Sequence, residues 1–122
     1  MKVIIAGSRN IEDYKLVVDT IKRSGYSITE VVSGCAVGID TLGEQWATAN
    51  DIPIKRYPAQ WHQYGPKRAG PIRNKEMAEY ADAAVIIWDG ESRGTRNMIE
   101  NMVRRKKPYH IGMTSATLED FV

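Results

Sequence analysis

The sequence predicts an α/β fold, a three-layer α/β/α sandwich whose helices cover both faces of a mainly parallel, five-stranded sheet. Short runs rich in aliphatic residues alternate with segments whose apolar residues recur at helical spacing, which is typical of βαβ units. The first run, residues 3–6, is continuously apolar, as expected for a parallel strand that is buried on both faces. The first, second and fourth runs each end at a glycine-bearing segment, which favours a turn into the following helix.

The strands are predicted from these apolar runs and from the breaks that follow them. The fourth run is the most hydrophobic and ends abruptly at Asp89 and Gly90. The five strands are expected at residues 3–6, 29–33, 52–57, 83–88 and 108–111.

Four helices are predicted between the strands. The first ends near Gly25, which is suited to a C-terminal cap. The second runs from Ile39 to about Asn50, and the third begins near Pro71, because proline suits a first helical turn. The apolar side chains expected to face the sheet are Tyr14, Val17, Val18, Ile21, Ile39, Leu42, Trp46, Met77, Tyr80, Ala81, Met98, Ile99, Met102 and Val103.

One long connection interrupts this regular alternation. Residues 58–70 contain several glycine or proline breaks and no periodicity, so they are predicted to form a loop. Loops of this length are more often functional than not. No linker or repeat divides the chain, and we predict one Rossmann-like domain over residues 1–112 with a tail over residues 113–122.

The composition is that of an ordinary globular protein, with 43% apolar and 26% charged residues. The 17 basic and 15 acidic residues leave a formal charge of +2, too small to imply wholesale binding to nucleic acid or to an anionic membrane. A single cysteine excludes an intramolecular disulfide, and a chain that opens on a strand leaves no room for a signal peptide. No apolar run approaches the ~20 residues that span a bilayer. We expect a cytoplasmic protein with no membrane contact, no metal and no cofactor.

Three glycine-bearing loops are expected to form a phosphate site. In a doubly wound sheet the ligand crevice lies beyond the carboxyl ends of the strands, where the strand order reverses. Glycine lets the backbone approach a ligand closely, and each loop leads into a helix whose first N–H groups are unpaired and attract an anion. We therefore predict one electropositive hollow, and its expected residues are Gly7, Ser8, Arg9, Ser33, Gly34, Gly38, Asp40, Gly90, Ser92, Gly94 and Thr95.

The long loop and the helix after it are expected to complete this site. Trp61 and Tyr64 lie among basic residues, and a nucleobase can stack on a ring while a cation pairs with the phosphate. The alternative is that the two rings anchor the loop to the domain. Arg73, followed by Asn74, is expected in the first helical turn, where a cation opposes the macrodipole unless it has an anionic partner. Arg73 and Asn74 are therefore assigned to the ligand.

Other polar residues are expected to have structural roles. No carboxylate is fixed beside His62 by the sequence, so an exposed side chain is expected rather than an acid or base. Cys35 is expected to be a small buried thiol, although it lies near a helix N-terminus. The basic cluster at residues 104–107 ends the fourth helix and is expected to complement its dipole.

Four segments follow one another in a characteristic order along residues 1–112. They are residues 7–9 (Gly-Ser-Arg), residues 32–40, residues 69–74 with Trp61 and Gly65 upstream, and residues 88–95. Together they resemble the SLOG superfamily, which joins the DNA-processing protein DprA (Smf), the LOG cytokinin-activating enzymes and the small YspA-type domains. The likeness is greatest to stand-alone YspA-like proteins of bacteria and phages.

The resemblance implies a Rossmann-like fold whose crevice binds nucleotides, nucleotide-derived ligands or nucleic acid. LOG enzymes hydrolyse the N-glycosidic bond of nucleoside monophosphates with an arginine, which Arg73 matches, and a glutamate, whose position here is Met98. Glu100 lies ~200° further round the helix and does not replace it. Asp89 and Glu91 are the remaining candidates for a catalytic acid or base, although aspartate beside glycine is also a common turn former.

Three functions are open on this basis. The first is a sensor or binding module for a nucleotide or a nucleotide-derived phosphate ligand. The second is a LOG-like hydrolase that uses Arg73 with Asp89 or Glu91. The third is single-stranded DNA binding as in DprA, against which the modest net charge argues. A homo-oligomer is suggested only by the pairing of LOG-like relatives.

Overall fold

The structure, a computed structural model, describes residues 1–113. The predicted tail over residues 113–122 therefore lies, apart from Met113, outside the described residues. None of the helices in the described range has the length and hydrophobicity of a membrane-spanning segment. The elements, in chain order, are β1 (Lys2–Gly7), α1 (Tyr14–Ser24), β2 (Glu30–Ser33), α2 (Ile39–Ala49), β3 (Ile54–Arg56), α3 (Trp61–Tyr64), α4 (Ala69–Tyr80), β4 (Ala83–Trp88), α5 (Arg93–Arg104) and β5 (Tyr109–Met113).

The five strands form one sheet in the order β3-β2-β1-β4-β5, and every neighbouring pair is parallel. The predicted fold class is thus confirmed. The chain leaves β1 toward β2 on one side and later returns to β4 on the other, so the strand order reverses between β1 and β4. The carboxyl ends of β1, β2 and β4 are neighbours at this point, which is where open α/β sheets leave a crevice.

The core consists of two apolar layers, one on each face of the sheet. Val3 and Ile5 point into the layer that includes α1 and α2, whereas Ile4 and Ala6 point into the layer that includes α4 and α5. This follows from the two-residue alternation of side chains along a strand. Central strands must be apolar on both faces, which is why residues 3–6 read as one continuous hydrophobic run.

Two helical positions differ from the sequence prediction. Tyr14 begins α1 and is 36% exposed, whereas Thr20 is buried and its hydroxyl donates to the carbonyl oxygen of Leu16 at 2.6 Å. Val103 is 54% exposed because α5 buries Met98 and Met102, and the next residue is rotated by ~100° out of that stripe. A local bond to its own helix allows a threonine to replace an apolar residue at the sheet.

The connection predicted as a loop over residues 58–70 contains structure of its own. It includes the single-turn helix α3, and α4 begins at Ala69, two residues before Pro71. Strand β3 is shorter than predicted, and β5 extends to Met113, beyond the expected end at Ile111. The earlier start of α4 changes the position of Arg73 within its helix, which matters for the site.

The basic cluster at residues 104–107 does more than complement the dipole of α5. The ammonium group of Lys107 donates to the carbonyl oxygens of Ala78, Glu79 and Ala81 at 2.7–2.9 Å, so it caps the C-terminus of α4 instead. Arg105 donates to the side-chain oxygen of Asn101 at 2.9 Å. The cluster was predicted to complement the dipole of α5, and Lys107 departs from this prediction by serving α4.

Gly43 and Gly70 form a matched pair that tests how closely α2 packs on the sheet. A Cβ atom on Gly43 would lie 2.7 Å from Cγ2 of Ile5, whereas a Cβ on Gly70 in α4 would meet nothing within 4 Å. We expect Gly43→Ala to lower the free energy of unfolding by about 1–3 kcal/mol through overpacking. Gly70→Ala should leave it unchanged or raise it by up to about 1 kcal/mol. Urea denaturation followed by circular dichroism measures both, and equal effects would contradict this packing.

Candidate functional site

A cavity of about 360 Å³, here called the main cavity, lies beyond the carboxyl ends of β1, β2 and β4. The loops after all three strands reach it, together with residues from α4. The sequence-predicted residues that line it are Gly7, Arg9, Gly34, Asp40, Arg73, Asn74, Asp89, Ser92, Gly94 and Thr95. The lining residues that the sequence analysis did not assign to the site are Ala6, Asn10, Ala36, Met77 and Met98.

A second cavity of about 370 Å³, here called the side cavity, adjoins the first. Arg9 and Arg73 line both cavities, so the two arginines lie at the boundary between them. Trp61, which is 46% exposed, and Pro58 contribute to the side cavity, whereas Tyr64 lines neither. The aromatic ring and the arginines expected around one ligand are thus brought together.

Two serines that were predicted to bind the ligand line neither cavity, and their hydrogen bonds hold the surrounding loops in place. Ser8 is 1% exposed, and its side-chain oxygen accepts from the amide of Asp89 at 3.1 Å, which ties the loop after β1 to the loop after β4. Ser33 donates to Glu44 at 2.7 Å and accepts from the amide of Cys35 at 3.1 Å. Both serines position the site rather than face a ligand.

Gly38, Gly90 and Glu91 also lie outside both cavities. A Cβ atom on Gly38 would lie 2.5 Å from the carbonyl oxygen of Arg9, so glycine is required where the loops after β1 and β2 touch. Gly90 has φ +85° in the turn after β4. Glu91 is exposed. The structure therefore does not bring Glu91 to the place where an acid or base would have to act.

Arg73 links two elements across the main cavity. It is the fifth residue of α4, so the macrodipole argument that assigned it to a ligand was wrong. Its Nη1 group donates to the carbonyl oxygen of Gly34, and its Nε donates to the side chain of Asn74 at 3.0 Å. Burial lowers the pKa of Arg73, and the charge of Asp40 opposes this shift.

Asn74 continues this link toward α5. Its side chain is 7% exposed, and its amide donates to the carbonyl oxygen of Gly94 at 3.1 Å and to Oδ1 of Asn97 at 3.0 Å. Together, Arg73 and Asn74 connect the end of β2 to the first turn of α5. The role of Asn74 seen here is to hold the cavity wall.

The first turn of α5 presents the groups expected of an anion site. Ser92 is the N-cap, and its side-chain oxygen accepts from the Thr95 hydroxyl at 3.0 Å. The first N–H groups of a helix have no partner within the helix, and this turn contains no acidic residue. Gly94 and Thr95 line the main cavity, so the positive end of this 12-residue helix faces it.

Asp40 is a buried acid in the cavity wall. It is 6% exposed, and its Oδ2 accepts from the amide of Ala36 at 3.1 Å. Burial raises the pKa of Asp40 to about 6, against the opposing effects of the Ala36 amide and the charge of Arg73. Sequence reasoning placed Asp40 among the ligand-binding residues but gave no sign of this shift, because burial depends on packing from distant segments.

Asp89 is occupied by the turn that it forms. Its Oδ1 accepts from the amides of Glu91 and Ser92, each at 2.8 Å. Burial works to raise the pKa of Asp89, but these hydrogen bonds and one with Ser8 lower it overall. Asp89 is therefore a stably ionised turn residue. The main cavity has two arginines and two aspartates, so its formal charges balance instead of leaving the expected positive excess.

The first half of the chain matches the model of a known protein family. A family model described as YAcAr, the YspA, cpYpsA-related SLOG family, matches residues 1–64, which is more than half of the 122-residue chain. The chain belongs to this family. The predicted resemblance to the SLOG superfamily is thereby confirmed. No curated protein and no solved structure matches the chain significantly.

The YAcAr match spans the loops after β1 and β2 and the helix α3, and it ends before α4. Arg73 and the first turn of α5 therefore lie outside the matched segment. Met98, the position that the resemblance gives to the LOG glutamate, is 1% exposed and forms part of the main cavity wall. Glu100 is exposed and does not line that cavity.

Two further residues of this YAcAr protein have side chains that can be reactive, a histidine and a cysteine. His62 is exposed, as expected. Cys35 is also exposed, so the prediction of a buried thiol was wrong; it adopts φ +63° in the turn after β2. Partial burial and the charge of Glu44 raise the pKa of the Cys35 thiol, which disfavours the nucleophilic thiolate.

The raised pKa of Asp40 predicts a pH-dependent stability difference between the native chain and Asp40→Asn. From the ordinary value of 3.8 up to about 6, the unfolded chain releases this proton more readily than the folded one, so the ionised buried carboxylate costs stability as pH rises. The advantage of Asp40→Asn should therefore grow between pH 4 and pH 7, by up to about 3 kcal/mol.

Chemical denaturation at several pH values measures this difference. Glu12→Gln, which removes a carboxyl group from an exposed residue, is the control and should show little dependence on pH. A difference for Asp40→Asn that stays constant over this range would contradict the buried, ionisable state.

Proposed function

We propose that the protein binds a nucleotide or a nucleotide-derived phosphate ligand, with the phosphate in the main cavity. The observation that carries this proposal is the state of Arg9. Arg9 lines both cavities, and within residues 1–113 its guanidinium group has no hydrogen bond or ion pair with another residue. A cation that borders a cavity of this size without a partner suits an anionic ligand.

A second set of donors faces the same space. The first turn of α5 offers the backbone N–H group of Gly94, and Thr95 also lines the cavity. Nη2 of Arg73 also has no partner among the described residues, because only Nη1 and Nε donate within the protein. Helix N-termini and arginines are the groups that bind phosphate oxygens most readily.

The side cavity supports a nucleoside rather than a bare phosphate. Trp61 offers a partly exposed ring there, and Arg9 and Arg73 separate it from the α5 N-terminus. A ligand with a charged group between the arginines can extend a flat base toward this ring, since stacking is tolerant of base identity. The proposal therefore includes Trp61 as the base-side contact.

The alternative functions receive less support. Hydrolysis by Asp89 or Glu91 is disfavoured because Asp89 is held in its turn at a lowered pKa and Glu91 lies away from both cavities. Single-stranded DNA binding has only the sequence resemblance in its favour, and the net charge is +2. A cytoplasmic location and a homo-oligomer stay predictions from the sequence.

Calorimetric titration with AMP, GMP, CMP, UMP, ADP-ribose and inorganic phosphate tests the proposal. We expect at least one nucleotide to bind more tightly than inorganic phosphate. Arg9→Ala should weaken that binding by roughly 10–100-fold, the range for losing hydrogen bonds to a charged group. Its physical reason is the loss of the unpaired guanidinium at the cavity boundary.

Arg104→Ala is the matched control, because it removes an exposed arginine from the opposite end of α5. It should leave the affinity unchanged. The proposal fails if no compound in the panel binds. It also fails if Arg9→Ala and Arg104→Ala have equal effects, or if the chain binds only single-stranded oligonucleotides with a steep dependence on salt.

A further inference from the structure

Asp40 has one carboxylate oxygen that accepts no hydrogen bond from the described residues. Oδ2 accepts from the amide of Ala36, whereas Oδ1 has no hydrogen-bond partner within residues 1–113. Every unpartnered polar side-chain atom of the described residues keeps contact with open space. Since Asp40 is 6% exposed and lines the main cavity, we infer that Oδ1 faces the cavity.

The main cavity therefore presents two opposite requirements to one ligand. Arg9, Arg73 and the first turn of α5 offer donors for an anion, whereas an ionised carboxylate can only accept. A phosphate oxygen placed against Asp40 would be repelled, so the group that meets Oδ1 must be a hydrogen-bond donor. A sugar phosphate has both features a short distance apart, because its hydroxyl groups donate while its phosphate accepts.

We propose that Asp40 is a specificity-determining residue of the main cavity, whose Oδ1 accepts a hydrogen bond from the ribose diol of the ligand, so that the protein selects ribonucleotides over dideoxyribonucleotides. This inference rests on the proposed function and adds to it the recognition of the ligand's ribose. A site whose buried polar group is left unpaired by an analogue discriminates strongly against that analogue.

The charged groups around Asp40 fit this assignment. Arg73 from α4 and Arg9 from the loop after β1 lower the pKa of the Asp40 carboxyl, whereas Glu44 on its own helix raises it. Burial is the largest effect, and together with these charges it raises the pKa of Asp40 to about 6. Asp40 is therefore ionised at pH 7.5 and accepts hydrogen bonds. The test is therefore made at that pH.

Asp40→Asn is a sharp test because the Ala36 amide fixes the orientation of the new side chain. That amide needs an acceptor, so the asparagine carbonyl oxygen takes the place of Oδ2 and the NH₂ group takes the place of Oδ1. The variant thus presents a donor where the native protein presents an acceptor. It also removes a negative charge from a cavity that binds an anion.

The experiment is a calorimetric titration of the native chain and Asp40→Asn with three probes. These are the best-bound nucleoside monophosphate of the panel above, its 2′,3′-dideoxy analogue and inorganic phosphate. The native chain should prefer the ribonucleotide by roughly 10–100-fold, the range for a hydrogen bond to a charged group. In Asp40→Asn this preference should fall to near one, while the affinities for the dideoxy analogue and for inorganic phosphate stay the same or rise.

Retained phosphate binding shows that Asp40→Asn is folded and that its cavity is intact. Glu12→Gln is the control for the loss of one acidic residue and should keep the native preference. If the native chain binds the ribonucleotide and the dideoxy analogue equally, or if Asp40→Asn discriminates as the native chain does, the role of Asp40 is overturned and the proposed function stands. If the native chain binds no probe, the proposed function itself fails.

Discussion

The site depends on the pair of side chains that α4 extends across it. Arg73 binds the carbonyl oxygen of Gly34, and Asn74 binds that of Gly94, so one helix holds the end of β2 and the start of α5 at a fixed separation. A Cβ atom on residue 34 would lie 2.7 Å from Nη1 of Arg73, so a side chain larger than that of glycine would force this arginine to shift. Without these contacts the end of β2 and the first turn of α5 would lose the link that α4 provides.

Charge in this cavity is balanced rather than uniformly positive, which limits what can bind. The carboxylate of Asp89 accepts hydrogen bonds from the amides of its own turn. One carboxylate oxygen of Asp40 accepts from the Ala36 amide, and we infer that the other faces the cavity. Arg9 and Nη2 of Arg73, which have no hydrogen-bond partner within residues 1–113, remain as donors. A ligand must therefore match an arrangement of donors and one acceptor, and a simple anion satisfies only part of it.

The sheet and the place of the site could be predicted from sequence because both depend on local patterns. The apolar run at residues 3–6 specifies a doubly buried strand, and glycine at the strand ends marks where chains turn toward the crevice. The side-chain orientations of Ser8 and Ser33 could not be predicted, because each hydroxyl bonds to a residue outside its own loop. Two contacts were missed for the same reason. Lys107 donates to carbonyl oxygens at the end of α4, and Arg73 donates to the carbonyl oxygen of Gly34 after β2.

The central claim is that loops from three separate strand ends form one binding cavity. Nuclear magnetic resonance of the ¹⁵N-labelled chain, titrated with the best-bound nucleotide, tests it most directly. The amide signals of Gly7, Gly34 and Gly94 should shift together and fit a single dissociation constant, while that of Gly25 at the end of α1 stays in place. Shifts confined to one loop, or three unequal constants, would contradict a common site.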